Sequence, residues 1–568
     1  MDTKMIDHTV ETIAGNKTRW ARLPIATKIY LLDKIRTRVG DVARSWVDAA
    51  AAAKEIPADS QLVGEEWTSG PYAVAQGAQS LADTLRRIQD GVPILEGFDA
   101  RTLPNGQVAV RVFPATSEDR LFLSAHVADV WMQPGITIDE LEEHAGAFYR
   151  IPDPVGSLTV VLGAGNIASI APLDVLTELF NFGSVVVVKL NPVNDYLAPF
   201  FEHIFQPLIE AGFVAFVPGG AEEGAYLTAH ELVEHIHITG AAATHDAIVY
   251  GTGPDAGERK AADDPVNATP VTSELGGVGP TIVVGGEWSD ADLRFQAEHI
   301  ISQKLHNHGF NCIACQVLVL PEEWDQADAL IDEMRAVVAE LDERGAYYPG
   351  AQARLQAALS SHPDAEVLPW GNGPVAFITD LDPADGNDVC FRTEFFGTVL
   401  GITRLPGDDT ASYLENATRF ANETLEGNLG ANLIIHPATA REASGALEQA
   451  ITDLRYGTIA VNTWVGIAFA MNRATWGAFP GNPRNDIRSG SGVVHNSLML
   501  DHTERSVVRG AFAPFPRTVR QGVFHTEPKP PFFVTNRNAG DLGRRLTERA
   551  VGGSWKTLPG IITTAMRG

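Results

Sequence analysis

Cysteine is scarce: Cys312, Cys315 and Cys390 are the three thiols in 568 residues. That is too few for a disulfide framework, so a reducing, cytoplasmic setting is expected. Positive charge is short as well. Lys and Arg total 43 against 71 Asp and Glu, a formal net charge of −28. An acidic surface disfavours nucleic acid and anionic membranes, so neither is expected as a partner. No apolar run approaches the roughly 18–20 residues that span a bilayer. Met1–Gly15 holds no apolar core of a signal peptide. Internal repeats and low-complexity segments are missing too. What remains is globular, 45% apolar with ten tryptophans, and too long for one core, so two or three domains are expected.

Residues 1–95 read as mostly helical, with an amphipathic stretch at Arg19–Val47 and a second helix at Tyr72–Gln89. The turn Pro104–Gln107 stands beside a strand at Val108–Phe113. From Val155 onward, short apolar runs at Leu158–Leu162, Val185–Val188, Val214–Val217 and His235–Ile238 alternate with helical stretches. The β-branched run Val185–Val188 suits a parallel strand buried on both faces. This alternation predicts an α/β fold with a doubly wound sheet. Residues 252–270 are rich in Asp, Gly and Pro and read as a surface loop. A second α/β stretch runs from Pro280 to about Thr458, with helices at Asp290–Gln303 and Trp324–Leu341. A Pro-rich tail follows from Pro528, its structure open.

Four short motifs carry possible chemistry, and each has a plainer reading. Gly163–Ala168 (GAGNIA) has the G-x-G-x-x-A form of a dinucleotide fingerprint. That fingerprint expects an acid after the next strand, where this chain has Lys189, so a structural turn competes with it. Glu274 in Thr272–Gly277 (TSELGG) sits among small residues where it could meet water, or is an ordinary solvated acid. Cys312 and Cys315 spell C-x-x-C. As a redox pair they should open a helix, yet strand-like Gln316–Leu320 follows. As a zinc half-site they lack a second pair, so no metal is expected. A buried inert thiol is the competing reading for Cys312. Thr393–Gly397 (TEFFG) is an acid, Glu394, followed by two aromatics that could simply be core.

Taken together and in this order, the motifs resemble the aldehyde dehydrogenase superfamily. Asn166 and Lys189 are 23 residues apart, in that family's register. Thr239-Gly240-Ala241 looks like its strand-to-helix turn under a pyrophosphate. Glu274–Gly277 matches its E-L-G-G, Gly309–Cys312 its G-x-x-C, Glu394–Gly397 its E-x-F-G and Gly457–Asn462 its G-x-x-x-V-N. The resemblance covers about residues 150–510 and more weakly the N-terminal helices.

The resemblance implies a Rossmann-like cofactor domain (1–126 and 153–275), an α/β catalytic domain (276–465), oligomerisation strands (127–152 and 500–525) and an extra C-terminal tail (526–568). It implies NAD or NADP, with NAD slightly preferred, and an aldehyde substrate. Cys312 would be the nucleophile, Asn166 and the Cys312 N–H the oxyanion donors, and Glu274 the base. Lys189, Gly240, Ala241, Leu275, Glu394 and Phe396 would hold the cofactor. A substrate funnel is expected near Ile167, Asp174, Asn311, Ile313 and Thr463–Phe469. A homodimer or homotetramer is expected through the strand extension, with Ser506–Val508 and Gly522–Phe524 apolar enough to pair. The chain departs from the family pattern at Phe310 (usually glutamine), Pro192 (often a ribose-binding glutamate) and Thr398 (usually proline). It also has a longer Gly240–Glu274 segment. A CoA-acylating relative and a catalytically silent scaffold are the alternative readings.

Overall fold

Val185–Val188 are each 0% exposed and lie in the strand Ser184–Lys189 of the computed structural model, which describes residues 3–522 and 524–568. Burying each such side chain is worth about 1.5–3 kcal/mol, which places a run with no polar face inside a sheet. That sheet runs Val271–Leu275, His235–Gly240, Ser157–Leu162, Ser184–Lys189, Val214–Val217, all parallel. Gly490–Ser491 adds an antiparallel pairing at the Val271–Leu275 edge. Chain order reverses between Ser157–Leu162 and His235–Gly240. The loops leaving those two strands part there and open a crevice, the usual ligand site of doubly wound sheets.

The amphipathic stretch expected at Arg19–Val47 is two helices, Lys17–Ala21 and Ile25–Ala53, because Pro24 takes extended backbone (ψ 140°) and starts the second afresh. Trp20, ahead of that break, meets Phe180 edge-on at 5.3 Å and ties its helix to the end of the helix Ile170–Phe180.

A second sheet has eleven strands. In order they are Asp99–Thr102, Val108–Phe113, Val127–Met132, Thr503–Arg509, Thr458–Val461, Gly430–Ile435, Gly279–Val284, Cys315–Pro321, Val399–Leu405, Val375–Leu381 and Glu366–Leu368. Neighbours from Thr503–Arg509 to Val375–Leu381 are parallel, and both flanks are antiparallel.

Three expectations change here, and the tail, left open, is now seen. Residues 99–113, assigned to the cofactor half, begin this larger sheet. The strands expected to extend toward another subunit pair within the chain: Val127–Met132 lies antiparallel to Thr503–Arg509, which lies parallel to Thr458–Val461. That pairing satisfies backbone groups an unpaired edge would leave open, and buries Val507 and Val508. Ser506–Val508 pairs in this way; Gly522 and Phe524 lie in no strand, and Val523 is outside the described residues. The 252–270 loop contains a short helix, Ala256–Ala262, braced where Lys260 Nζ donates to Asp246 at 2.7 Å. The tail forms the helices Ala539–Ala550 and Leu558–Ala565. Gly64, Gly540 and Gly543 let the first of these approach Val63–Trp67 closely: a Cβ on Gly64 would stand 2.5 Å from the Ala539 backbone.

Candidate active site

After the helix Asp290–Leu305 and the extended His306 come three successive left-handed residues, Asn307, His308 and Gly309, with φ of 53°, 58° and 75°. A non-glycine residue in that region costs about 1–2 kcal/mol, so packing must hold the turn. The Asn307 N–H donates to Glu65 Oε2 at 3.0 Å. Its side-chain amide donates to the carbonyls of Asn166 (3.2 Å) and Phe310 (3.1 Å). Gly309 has no room for a side chain, because a Cβ would collide with the Gly397 carbonyl. Two motifs 85 residues apart, by 394 − 309, thus interlock through glycine backbone. The turn delivers Cys312, half-buried, just ahead of the strand Cys315–Pro321.

Cys312 Sγ lies 3.8 Å from Glu274 Oε1. Burial, then the charges of Glu274 and Glu394, push the thiol well above its ordinary value. Burial, then the charge of Asp174, push Glu274 up to about 7, opposed by the Trp476 indole N–H that donates to it at 2.7 Å. A thiol and a carboxyl group thus share one low-dielectric site, the kind of environment in which functional groups are found.

Asn166 is held on both sides. Its side-chain amide donates to the Phe310 carbonyl at 2.9 Å. Its own carbonyl accepts from Lys54 Nζ (2.9 Å), Tyr347 Oη (3.2 Å) and Asn307. Lys54 in turn pairs with Glu66 at 2.8 Å, both side chains fully buried. Glu65, next door, pairs with buried Arg344.

A cavity of about 830 Å³ lies at the crevice between the parted strands. Lys189, Gly240, Ala241, Glu394 and Phe396 line it, as do Cys312 and Glu274. Leu275, expected with them, is not among its walls; it is buried at the end of its strand, its N–H on the Ser489 carbonyl at 2.9 Å. Burial lowers Lys189, with Glu223 opposing. Burial raises Glu394 to about 8, against Lys304 and Arg354. Its Oε1 is buried without a protein partner among the described residues. Gly276 leaves room for that carboxylate, since a Cβ there would push it aside. Arg354 fixes the adjoining turn by donating to the carbonyls of Phe395 (2.7 Å) and Phe396 (3.1 Å). A second, mostly apolar cavity of about 270 Å³ meets the thiol from the other side, lined by Ile167, Asn311, Ile313, Trp464 and Phe469 as expected. Asp174 is not among its walls; it is buried between Thr239, which donates to it at 3.2 Å, and His237 at 3.6 Å.

The Aldehyde dehydrogenase family profile matches residues 135–353, which include Asn166, Lys189, Gly240, Glu274 and Cys312. Over that stretch, which is under half of the chain, the residues are similar to the aldehyde dehydrogenase family. It is 25% identical over 313 residues to a D-glyceraldehyde dehydrogenase (NADP(+)) of Thermoplasma acidophilum, covering 50% of this chain and 58% of that one. It is 26% identical over 312 residues to a coniferyl aldehyde dehydrogenase of a Pseudomonas species, covering 50% and 59%. The matched stretch thus spans under two thirds of these curated relatives' length. Among solved structures, the glyceraldehyde-3-phosphate dehydrogenase GapN of Methanocaldococcus jannaschii, complexed with NADP, superposes with a TM-score of 0.58 at 13% identity, over 90% of this chain and 95% of that one. That likeness concerns the fold.

The departures from the aldehyde dehydrogenase pattern have local accounts. Phe310 is fully buried among Tyr347, Tyr348, Phe396 and His308, with ring centroids 5.1–5.8 Å away. Its carbonyl, which any residue would supply, receives Asn166. Thr398 donates to the Pro374 carbonyl at 2.7 Å. Pro192 is exposed, while Asn191 lines the large cavity. Cys315 is fully buried in its strand, burial pushing it up to about 11, so C-x-x-C is packing rather than a redox helix. The sequence reading missed Lys54, Glu65, Glu66, Arg344, Arg354 and Trp476. The adjacent acids Glu65-Glu66, set between Leu62-Val63 and Trp67, were the available hint.

Proposed function

We propose that this chain oxidises an aldehyde to its carboxylic acid with NAD or NADP, through a thiohemiacetal and a thioester on Cys312. One observation carries the reading: the Cys312 thiol, with Glu274 at 3.8 Å, stands where the crevice cavity and the apolar cavity meet. The crevice suits a dinucleotide: it lies at the switch point, Gly276 leaves room beside Glu394, and Glu394 Oε1 awaits a hydroxyl. Lys189 and Glu394 would hold its riboses, and Gly240 and Ala241 would lie under its pyrophosphate. When bound, the nicotinamide supplies the acceptor for the hydride that turns the thiohemiacetal into the thioester.

The protein's own groups do the rest. Glu274 takes the thiol proton, so the sulfur attacks the carbonyl carbon. The oxyanion that forms meets the Asn166 amide and the Cys312 N–H, fixed donors of the kind worth about 3–4 kcal/mol each. Glu274, rid of its proton, then draws one from water, which cleaves the thioester to the acid. The presence of this carboxylate beside Cys312, at 3.8 Å, supports water rather than CoA as the acceptor. The test is formation of reduced cofactor, followed by its near-ultraviolet absorbance, with a panel of aldehydes, each cofactor, and CoA present or absent. Turnover without CoA is expected. Strict dependence on CoA would overturn the hydrolytic step, and silence with every aldehyde would overturn the reading.

A further inference from the structure

Part of the apolar cavity's wall comes from a segment that the reaction chemistry does not require. Cys312, Asn166 and Glu274 line the cavity, and Phe532, Leu542, Leu546 and Ile561 of the tail line it as well. The tail is pinned at both ends. At its start the buried carboxylate of Glu527 accepts from the Ala125 N–H (3.1 Å) and the His126 ring (2.8 Å). The other His126 nitrogen meets Thr463 Oγ1 at 2.9 Å. Further on, Gly540 and Gly543 press the helix Ala539–Ala550 against Val63–Trp67, and Arg549 pairs with Glu118. A segment so fixed is a wall rather than a loose end.

The chemistry of the cavity narrows what it takes. Its arginines and lysine have carboxylate partners: Arg549 with Glu118, Arg473 with Asp83 at 3.7 Å, and Lys529 with Glu298 at 2.8 Å. An anionic aldehyde meets no spare positive charge from them. A hydrocarbon chain instead finds Ile167, Phe469 and the tail's Leu546.

We propose that residues 527–565 are the distal wall of the substrate site and select aldehydes whose apolar chain reaches from Cys312 to Leu546. This rests on the aldehyde-oxidation reading above. Each methylene buried along the cavity is expected to raise kcat/KM about fourfold until the tail is reached. The test compares acetaldehyde, hexanal and decanal on the full chain, on Leu546→Trp, which fills the distal end, and on Leu546→Ala, which enlarges it. Leu546→Trp is expected to lower kcat/KM for decanal at least about tenfold more than for acetaldehyde, and Leu546→Ala to favour decanal relative to hexanal. Equal effects at all lengths, or no preference for long chains in the unaltered protein, would overturn the proposal. A second readout needs no turnover: 1-decanol is titrated into Cys312→Ala protein by tryptophan fluorescence, since Trp464 and Trp476 line the cavity. Binding that Leu546→Trp weakens supports the wall even if no aldehyde is oxidised, in which case the reaction reading alone fails. No binding overturns the wall.

Discussion

Two cavities meet at Cys312, and they are built by different means. The larger is made where parallel strands end. Its walls are short turns whose residues sit at set distances from the strands that carry them: Lys189 ends one strand, Gly240 another, and Gly276 follows a third. The smaller is assembled from places far apart in the chain: Tyr72, Phe113, Trp464, Phe532 and Leu546. The first is governed by backbone geometry, where glycine is the decisive residue. The second is governed by side-chain volume and by how the tail docks. Changes to the first should therefore alter the reaction itself, and changes to the second should alter what is accepted.

The sharpest trial of that division is at the point both cavities share. Cys312→Ser should lower turnover by about 10⁴-fold or more, the scale of losing a nucleophile, with melting temperature and cofactor binding kept. A retained rate would move the nucleophile elsewhere. Next, Asn166→Ala should cut kcat about 10²–10³-fold, as loss of an oxyanion donor does. It should leave KM for the aldehyde little changed, and a pure KM effect would assign Asn166 to the apolar cavity instead.

Glu274 gives a pH-dependent prediction. Its carboxyl is raised from 4.5 to about 7. As a base it acts deprotonated, so kcat should rise as pH climbs through about 7, and Glu274→Gln should lose that limb. Stability moves the other way. A raised folded value favours the native state below about pH 4.5, and that advantage, about 3 kcal/mol, is lost as pH rises through about 7. Urea titrations at both ends should show Glu274→Gln regaining stability relative to the unaltered chain at high pH.

Gly276→Ala, in the crevice, should displace Glu394 and raise the cofactor KM about tenfold or more, on the scale of one lost charged hydrogen bond, with the aldehyde KM nearly unchanged. The smallest effect on chemistry belongs to Gly64→Val. It should loosen the tail, seen as faster proteolytic cleavage within residues 527–565, while acetaldehyde oxidation persists. If acetaldehyde turnover collapsed along with tail docking, the two cavities would not be separable.

Much of the crevice was legible in the sequence. Strand runs such as Val185–Val188 and Val214–Val217 have a period and apolarity that folding does not override, and the turns after them carried Asn166, Lys189 and Gly240 at readable spacing. Leu275 was placed among the cofactor residues because it adjoins Glu274, but alternation along a strand sends neighbours to opposite faces. Asp174 was read as funnel-lining, yet its helix turns it toward His237 and Thr239. Lys54 and Tyr347 could not be read, because the carbonyl they hold belongs to Asn166, 112 and 181 residues away, and Glu66 could not because its role is to pair with Lys54.

By itself the sequence determined the alternating strands and helices, the glycine turns and the set of reactive groups, since these follow from local preference and fixed spacing. The tertiary structure alone decided that the strand Thr503–Arg509 pairs within its own chain, and that the Pro-rich tail folds back over the apolar cavity. It also decided that Glu274 is buried deeply enough to hold its proton near neutrality. Each of these depends on which surfaces meet across hundreds of residues. Packing and dielectric set those outcomes, and neither is written in any one stretch of chain.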